Sequence, residues 1–172
     1  MRVDVFSGTL SKLQTNLLIV TCFKDLRPLK GLAAQVDWYY GGLFSRIMME
    51  NRFVGDPGET LLLASGGKLL IPKVILVGLG LSANYDYPQF KFISETMHPV
   101  LENLHIRECA IDVAAPMARP LDSFRLVEAF LSGEALDDNN EALEVTFIVK
   151  ESEKATLQQK YMHHSWSPKM GG

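Results

Sequence analysis

A chain of 172 residues, 47% hydrophobic and 22% charged, is long enough for one domain with a proper core, and no Pro-, Gly- or Ser-rich linker divides it. The formal net charge of −3, with basic residues scattered along the chain, argues against nucleic acid as a partner. No apolar run approaches the ~18 residues that cross a bilayer, and the start lacks a signal-peptide profile, so we expect a cytoplasmic protein with no membrane partner.

The first two strands differ in their expected exposure. Residues from Arg2 to Phe6 alternate between polar and apolar types, which predicts a half-buried edge strand. The segment from Asn16 to Phe23 is almost continuously apolar and is expected to lie inside the sheet.

Cys22 in this segment and Cys109 in a later apolar run belong to no CxxC or Cys/His cluster. We therefore predict buried free thiols and no metal site.

A pair of glycines interrupts the helical stretch that begins at Leu32. The apolar spacing predicts a short helix ending near Tyr40, a tight turn at Gly41 and Gly42, and a second helix from Leu43 to Asn51. A helix that starts directly after two glycines offers free backbone N–H groups and a positive dipole end, which together can hold a phosphate. Two glycines are also simply how a chain makes a sharp turn, and both interpretations stay open.

The strand around which the chain is organised lies within Lys73 to Gly80 (KVILVGLG). Its apolar run has no alternation, which predicts a strand covered on both faces. The preceding strand, Glu59 to Ala64, is joined to it by a short connection, so this pair should be antiparallel and the sheet mixed. Ligands gather at the carboxyl ends of parallel strands, which makes Gly78, Gly80 and Ser82 candidate binding residues. The same glycines also suit a tight strand exit packed under a helix.

Helices and strands alternate along the rest of the chain. We predict a helix capped by Asp86 and kinked at Pro99, a strand from Cys109 to Ala115, a helix capped by Asp122 and closed by Gly133, an acidic loop from Asp137 to Glu141, a strand from Glu144 to Val149 and a helix from Glu151 to Tyr161. This order predicts an α/β fold of three layers, with helices on both faces of a mixed six-stranded sheet. We expect a single domain over residues 1–161 and an irregular C-terminal tail over residues 162–172.

Two segments carry a family resemblance. One is Phe53 to Leu61 (FVGDPGETL), and the other is the KVILVGLG strand that follows. Together with the NLLIVTCF strand and the helix that reaches Gly41-Gly42, they resemble the N-terminal domain of the leucyl aminopeptidase (cytosol aminopeptidase) family over roughly the first two thirds of the chain. The resemblance implies a macro-domain-like fold.

The same resemblance limits the chemistry that is expected. In this family the two-zinc peptidase site lies in a C-terminal catalytic domain, and the sequence has no counterpart of its clustered metal ligands. We therefore predict no catalytic residue, no metal ligand and no cofactor. The expectation is a stand-alone domain that is not an enzyme.

Macro domains that bind ADP-ribose share this fold, and the chain is similar to them at one loop. Gly41-Gly42-Leu43-Phe44 stands in the place of their first glycine-rich loop. Thr21 to Asp25, however, has no Asn to contact a distal ribose. Pro116 to Asp122 has no glycine that would let several N–H groups converge on an anion. Two of the three ligand-binding segments of that family are thus altered.

The first functional hypothesis is a non-catalytic module with a regulatory or assembly role. The aromatic cluster Trp38-Tyr39-Tyr40 would then bury apolar surface against a second copy in a homo-oligomer. The alternative for Trp38 is that it merely covers the edge of the sheet.

The second hypothesis is binding of ADP-ribose or another phosphorylated nucleotide-like ligand at the carboxyl ends of the strands. Its predicted contact residues are Gly41, Gly42, Leu43, Gly78, Gly80 and Ser82. The third hypothesis is an enzyme acting on such a ligand, for which the acid or base candidates are Asp25, Asp37 and His98. Asp37 is more simply expected on the solvent side of its helix, and His98 at a helix kink.

Overall fold

The computed structural model describes residues 2–114, 121–132 and 143–161. The strands are Arg2–Phe6 (β1), Leu17–Cys22 (β2), Thr60–Ala64 (β3), Lys73–Gly78 (β4), Glu108–Asp112 (β5) and Glu144–Ile148 (β6). The helices are Gly31–Tyr39 (α1), Leu43–Met49 (α2), Tyr87–Asn103 (α3), Ser123–Ser132 (α4) and Glu151–Tyr161 (α5), with 3-10 turns at Leu10–Lys12 and Ser82–Asn84. Each predicted strand and helix is present within a few residues of its expected bounds.

Within the described residues, six strands form one sheet in the order β1-β6-β5-β2-β4-β3. All neighbouring pairs are parallel except β3 and β4, which are antiparallel. The mixed six-stranded sheet predicted from the sequence is therefore confirmed. Because every strand but β3 runs the same way, the carboxyl ends of β1, β2, β4, β5 and β6 meet along one side of the sheet. We call this side the carboxyl edge and the opposite side the amino edge.

Helices cover both faces of the sheet because its central strands are apolar on both sides. Every residue of β2 is buried, and successive side chains alternate between two cores. Helices α1 and α2 pack on one face, where Val36 and Phe44 meet Leu18 and Val20. Helices α3, α4 and α5 pack on the other, around Phe130. The result is the predicted arrangement of three layers.

Side-chain caps fix the starts of two helices. Asp86 accepts a hydrogen bond from the Gln89 backbone N–H at 2.9 Å, as the sequence predicts, and α3 then continues through Pro99. Asp122 accepts from the Phe124 N–H at 2.9 Å before α4. Gly133, the loop from 137 to 141 and the tail from 162 to 172 lie outside the described residues.

The two cysteines are free and buried, as predicted. Burial raises the pKa of both the Cys22 and the Cys109 thiol to about 12, so neither is a thiolate at neutral pH. Among the described residues, no helix is both long and apolar enough to cross a membrane.

Candidate functional site

The loop that contains Gly55 to Glu59 lies directly against the end of β4. Gly78 N–H donates to the Glu59 carbonyl at 2.8 Å, and the Gly78 carbonyl accepts from Gly58 N–H at 3.0 Å. A Cβ on Gly78 would lie 2.7 Å from the Gly55 carbonyl oxygen and would overlap the carbonyl of Asp56. Gly78 is therefore required by the close approach of two backbones.

Gly80 is enclosed in the same way. Its N–H donates to the Gly55 carbonyl at 2.9 Å, and its carbonyl accepts from Lys24 N–H at 2.8 Å. A Cβ at this position would lie 2.7 Å from Cγ of Pro57. Both glycines predicted to bind a ligand thus use their backbone groups within the chain.

A nest of backbone amides at this edge holds a carboxylate of the chain itself. The N–H groups of Val54, Gly55 and Asp56 donate to Oε2 of Glu59 at 3.1, 2.8 and 3.1 Å. Converging amides of this kind form an anion-binding concavity. Here the anion is Glu59, which closes the loop onto itself.

Ser82 is also occupied by a carboxylate. Oδ1 of Asp25 accepts from the Ser82 backbone N–H at 2.9 Å, and Oδ2 accepts from the Ser82 hydroxyl at 2.7 Å. These hydrogen bonds lower the pKa of Asp25 below its usual value. A neighbouring exposed ion pair, Lys24 Nζ to Asp56 Oδ1 at 2.7 Å, ties the segment after β2 to the Gly55–Glu59 loop.

Asp112 is a buried carboxyl group at the end of β5 and is not among the site residues predicted from the sequence. Its side chain is 3% exposed, and Oδ1 accepts from the Ala114 backbone N–H at 3.0 Å. Burial raises the pKa of Asp112 to about 6, although the hydrogen bond from Ala114 acts in the opposite direction. The signal in the sequence is one acidic residue inside the apolar run CAIDVAA.

The turn at Gly41 and Gly42 lies elsewhere. Tyr40, which precedes it, packs under Lys68, whose Nζ is 5.5 Å from the centre of the Tyr40 ring. Lys68 belongs to the connection that leads into the amino end of β4, so the turn is at the amino edge. Gly78 is at the other end of β4, roughly 17 Å from the amino end of that strand at the usual rise per residue. The single site predicted from the sequence is therefore two separate turns.

The start of α2 at that turn already has an anionic partner. Gly42 has a positive φ of 78°, and Leu43, the first residue of α2, packs against the core. Oδ1 of Asp37 accepts from Ser45 N–H at 3.2 Å, and Oδ2 accepts from the Ser45 hydroxyl. The prediction that Asp37 faces solvent is wrong, because Asp37 is buried at 8% exposure and acts as a cap for α2.

The three acid or base candidates lie in different places. Asp25 is at the carboxyl edge, and Asp37 lies near the amino edge on the α1 face. His98 is buried inside α3 on the opposite face, where Nε2 is 3.2 Å from the Phe130 carbonyl of α4. The structure therefore does not bring these candidates together.

No group of three or more His, Cys, Asp or Glu side chains in the described part of the chain is arranged to hold a metal ion.

Trp38 is 77% exposed and contacts the ring of Tyr39. This aromatic residue was expected either to meet a second copy or to cover the sheet edge. It does not cover the sheet.

Comparison of the sequence with known protein families identifies the family of this chain. The sequence of residues 19–137 matches the family model for the N-terminal domain of the cytosol aminopeptidase family. The chain belongs to this family.

Two curated relatives illustrate the extent of the match. The probable cytosol aminopeptidase of Haemophilus ducreyi is 33% identical over 97 residues, which are 56% of this chain and 19% of the relative. That of Pseudoalteromonas atlantica is 33% identical over 103 residues, which are 59% of this chain and 20% of the relative. The chain thus matches about a fifth of the length of these aminopeptidases.

Solved structures confirm the macro-domain-like fold. A mutant of tomato leucine aminopeptidase matches with a TM-score of 0.68 and 16% identity, covering 95% of this chain and 36% of that protein. A mutant of the Oceanobacillus iheyensis macrodomain matches with a TM-score of 0.70 and 13% identity over 94% and 91% of the two chains. The Trypanosoma brucei macrodomain in complex with ADP gives 0.68 and 13% over 92% and 68%.

Replacing Gly78 with Ala should destabilise this aminopeptidase N-terminal domain by about 3 kcal/mol or more, because the new Cβ displaces the loop carbonyls. Gly41→Ala is the control, since Gly41, unlike Gly78, has a positive φ of 63°, but a Cβ added there would meet no atom within 4 Å. We expect it to cost only about 1 kcal/mol. Urea unfolding measures both, and equal losses would contradict a packing role for Gly78.

Glu59→Gln should lower the free energy of unfolding by about 1–2 kcal/mol, because one carboxylate oxygen loses its charge-assisted bonds to backbone amides. Glu50→Gln is the control, since Glu50 makes only an exposed ion pair with Arg52 at 3.5 Å. Its change should stay within about 0.5 kcal/mol. If urea unfolding finds the two variants equally stable, the amide nest is not a stabilising feature.

Asp112→Asn should stabilise the protein at pH 8 by on the order of 2 kcal/mol, because the ionised carboxylate is costly to bury. The folded-state pKa of Asp112, about 6, lies above the unfolded value near 3.9. The contribution of Asp112 to the free energy of unfolding is therefore fully present below pH ~4 and is lost as the pH rises through ~6. The gain from Asn should therefore grow between these values. Thermal unfolding against pH tests this, with exposed Asp4→Asn as control; a pH-independent gain would contradict it.

Proposed function

We propose that this chain is a non-catalytic macro-domain-like module with an assembly role. The observation that carries the proposal is that the carboxyl edge is closed by the chain's own carboxylates. Glu59 takes up the converging amides of residues 54–56, and Asp25 takes up both donors of Ser82. Donors that would otherwise be open to a phosphorylated ligand are thereby bound to carboxylates of the chain itself.

The family relationship supports the same function. The match to cytosol aminopeptidases covers their N-terminal domain and about a fifth of their length. By resemblance, the two-zinc peptidase site of this family belongs to a C-terminal domain. Peptide hydrolysis is therefore not part of the function that we propose for this chain.

Exposed apolar side chains support an assembly role. Trp38, Met49 and Leu70 are 77%, 82% and 79% exposed and lie on the layer of α1, α2 and the β3–β4 connection. Phe92 and Leu62, at 52% and 44%, lie toward the opposite layer. A bound protein would remove this exposed apolar area from water, which favours association.

The assembly role is tested with the wild-type chain by sedimentation equilibrium over a concentration series from about 10 μM to about 1 mM, the range expected for small interfaces. We expect the average mass to rise above that of one chain. A mass that stays at one chain over the whole range would contradict self-assembly.

A second candidate function is the binding of ADP or another phosphorylated nucleotide, such as ADP-ribose, at the carboxyl edge. The observation that favours it is the structural neighbour from Trypanosoma brucei, whose macrodomain is in complex with ADP. Gly78, Gly80 and Ser82 lie at this edge, and the ligand would have to displace Asp25 from Ser82. Gly41, Gly42 and Leu43 lie at the amino edge and would contribute only to a separate site.

Titration with ADP and ADP-ribose, followed by thermal unfolding, separates the two functions. With the carboxyl edge closed, we expect no shift for the wild type at concentrations that would saturate a specific site, where binding at about one hundred times Kd adds ~2.7 kcal/mol. Asp25→Ala frees the Ser82 donors and is the permissive control. A saturable shift in the wild type that grows in Asp25→Ala would favour the nucleotide-binding function instead.

A further inference from the structure

We infer that β3 is an interface strand, which pairs antiparallel with β3 of a second copy and joins two six-stranded sheets into one of twelve strands. This inference rests on the proposed assembly role and names its surface and partner. It is carried by the free backbone groups of β3, by its side chains and by its symmetry.

The hydrogen-bonding pattern shows which groups of β3 are available. Gly78 N–H donates to the Glu59 carbonyl, and Ser65 N–H donates to the Pro72 carbonyl at 2.9 Å. In an antiparallel pair such bonds recur at every second residue, so the odd-numbered residues of β3 face β4. Thr60, Leu62 and Ala64 therefore direct their N–H and C=O groups away from the sheet. Within the described residues, no strand lies on that side.

The composition of β3 leaves this edge unprotected. The strand TLLLA has five residues with neither charge nor proline. Soluble proteins usually guard an edge strand with charges, because its free backbone groups invite another strand. The opposite edge of the same sheet follows that rule, since β1 carries exposed Arg2 and Asp4. The contrast within one molecule marks β3 as the edge prepared for a partner.

The free groups of β3 are self-complementary. A two-fold axis through Leu62 pairs Leu62 with Leu62 of the second copy, Thr60 with its Ala64 and Ala64 with its Thr60. All three pairs are then of the hydrogen-bonded type, because the backbone groups of the same even-numbered residues face outward in both strands. A second copy of this chain thus satisfies the edge with no shift in register.

The side chains on the α3 face fit the same pairing. Leu62 is 44% exposed and lies opposite Ile75 of β4. The side chain of Ile75 belongs to the core under α3, so Leu62 is on the same face of the sheet. Phe92 of α3, 52% exposed, lies beside Gly58 at the start of β3, with Cε1 3.7 Å from the position of a Gly58 Cβ. Antiparallel pairing brings the small Ala64 of the second copy to that end. Both exposed apolar side chains are then covered.

The more exposed apolar residues on the other layer define no such partner. Trp38, Met49 and Leu70 offer apolar area, but they lie on helices and a connection rather than on an open strand edge. They therefore provide a control surface for the experiment. Because β3 is short, its interface lies at the low end of the usual range, and we expect a Kd between about 1 μM and 1 mM.

The test uses opposite charges at the two-fold axis. Leu62→Lys places two ammonium groups directly opposite each other, and Leu62→Glu does the same with two carboxylates. Each variant alone should lose at least about tenfold in its association constant. An equimolar mixture should recover dimers, because a Leu62→Lys chain and a Leu62→Glu chain then pair opposite charges. Sedimentation equilibrium measures all three samples, and thermal unfolding confirms that each half-exposed substitution leaves the fold intact.

Trp38→Lys is the matched control on the α1 face and should associate like the wild type. Loss of association in Trp38→Lys but not in Leu62→Lys would overturn the β3 interface while leaving the assembly role in place. Failure of the mixture to recover dimers, with both variants folded, would also overturn the two-fold pairing at Leu62. A wild-type chain that stays monomeric up to about 1 mM would overturn the interface and the proposed assembly role together.

Discussion

The close approach of the Gly55–Glu59 loop to the end of β4 is the constraint on which the carboxyl edge depends. The backbone of Gly78 has no room for a Cβ, and its N–H and C=O both bond to this loop. Glu59 serves the contact twice, since its carbonyl accepts from Gly78 and its carboxylate gathers the amides of residues 54–56. The loop thereby uses internally the donors that a ligand-binding loop would leave free.

This arrangement shows that a chain with a macro-domain-like fold can bind the donors at its strand ends with its own carboxylates. A fold fixes where strands end, but side chains decide what those ends bind. In this member of the cytosol aminopeptidase family, Asp25 and Glu59 lie at the carboxyl edge and take the place that an anion would occupy. Their negative charges also oppose a phosphorylated ligand, because like charges repel. An assembly role is consistent with such a closed edge.

The two outer strands of the sheet are treated differently by the sequence. β1 alternates buried valines with exposed charged residues, and α5 packs beside it. β3 places leucines on both of its faces and leaves the groups of Thr60, Leu62 and Ala64 unpaired within the described residues. An unpaired, uncharged edge costs little in the folded monomer because water can bond to it, yet it remains available to a strand of matching register. One outer strand of the sheet, β1, is therefore protected by charged side chains, and the other, β3, is not.

The sequence by itself determined the elements and the fold class. Continuous apolar runs at Leu17–Cys22 and Val74–Val77 require strands buried on both faces, and the capping residues Asp86 and Asp122 mark helix starts through local bonds. These signals are local, because they depend on side chains within a few residues of one another.

Only the tertiary structure decided the site. The Gly41–Gly42 turn and Gly78 lie near opposite ends of β4, and the Asp25–Ser82 bonds join residues 57 positions apart. The burial of Asp37 and Asp112 likewise depends on elements distant in the chain. Periodicity records which side of an element is apolar, whereas such contacts depend on how the elements are ordered in space. The residues of the closed carboxyl edge could therefore be noticed in the sequence but not assembled from it.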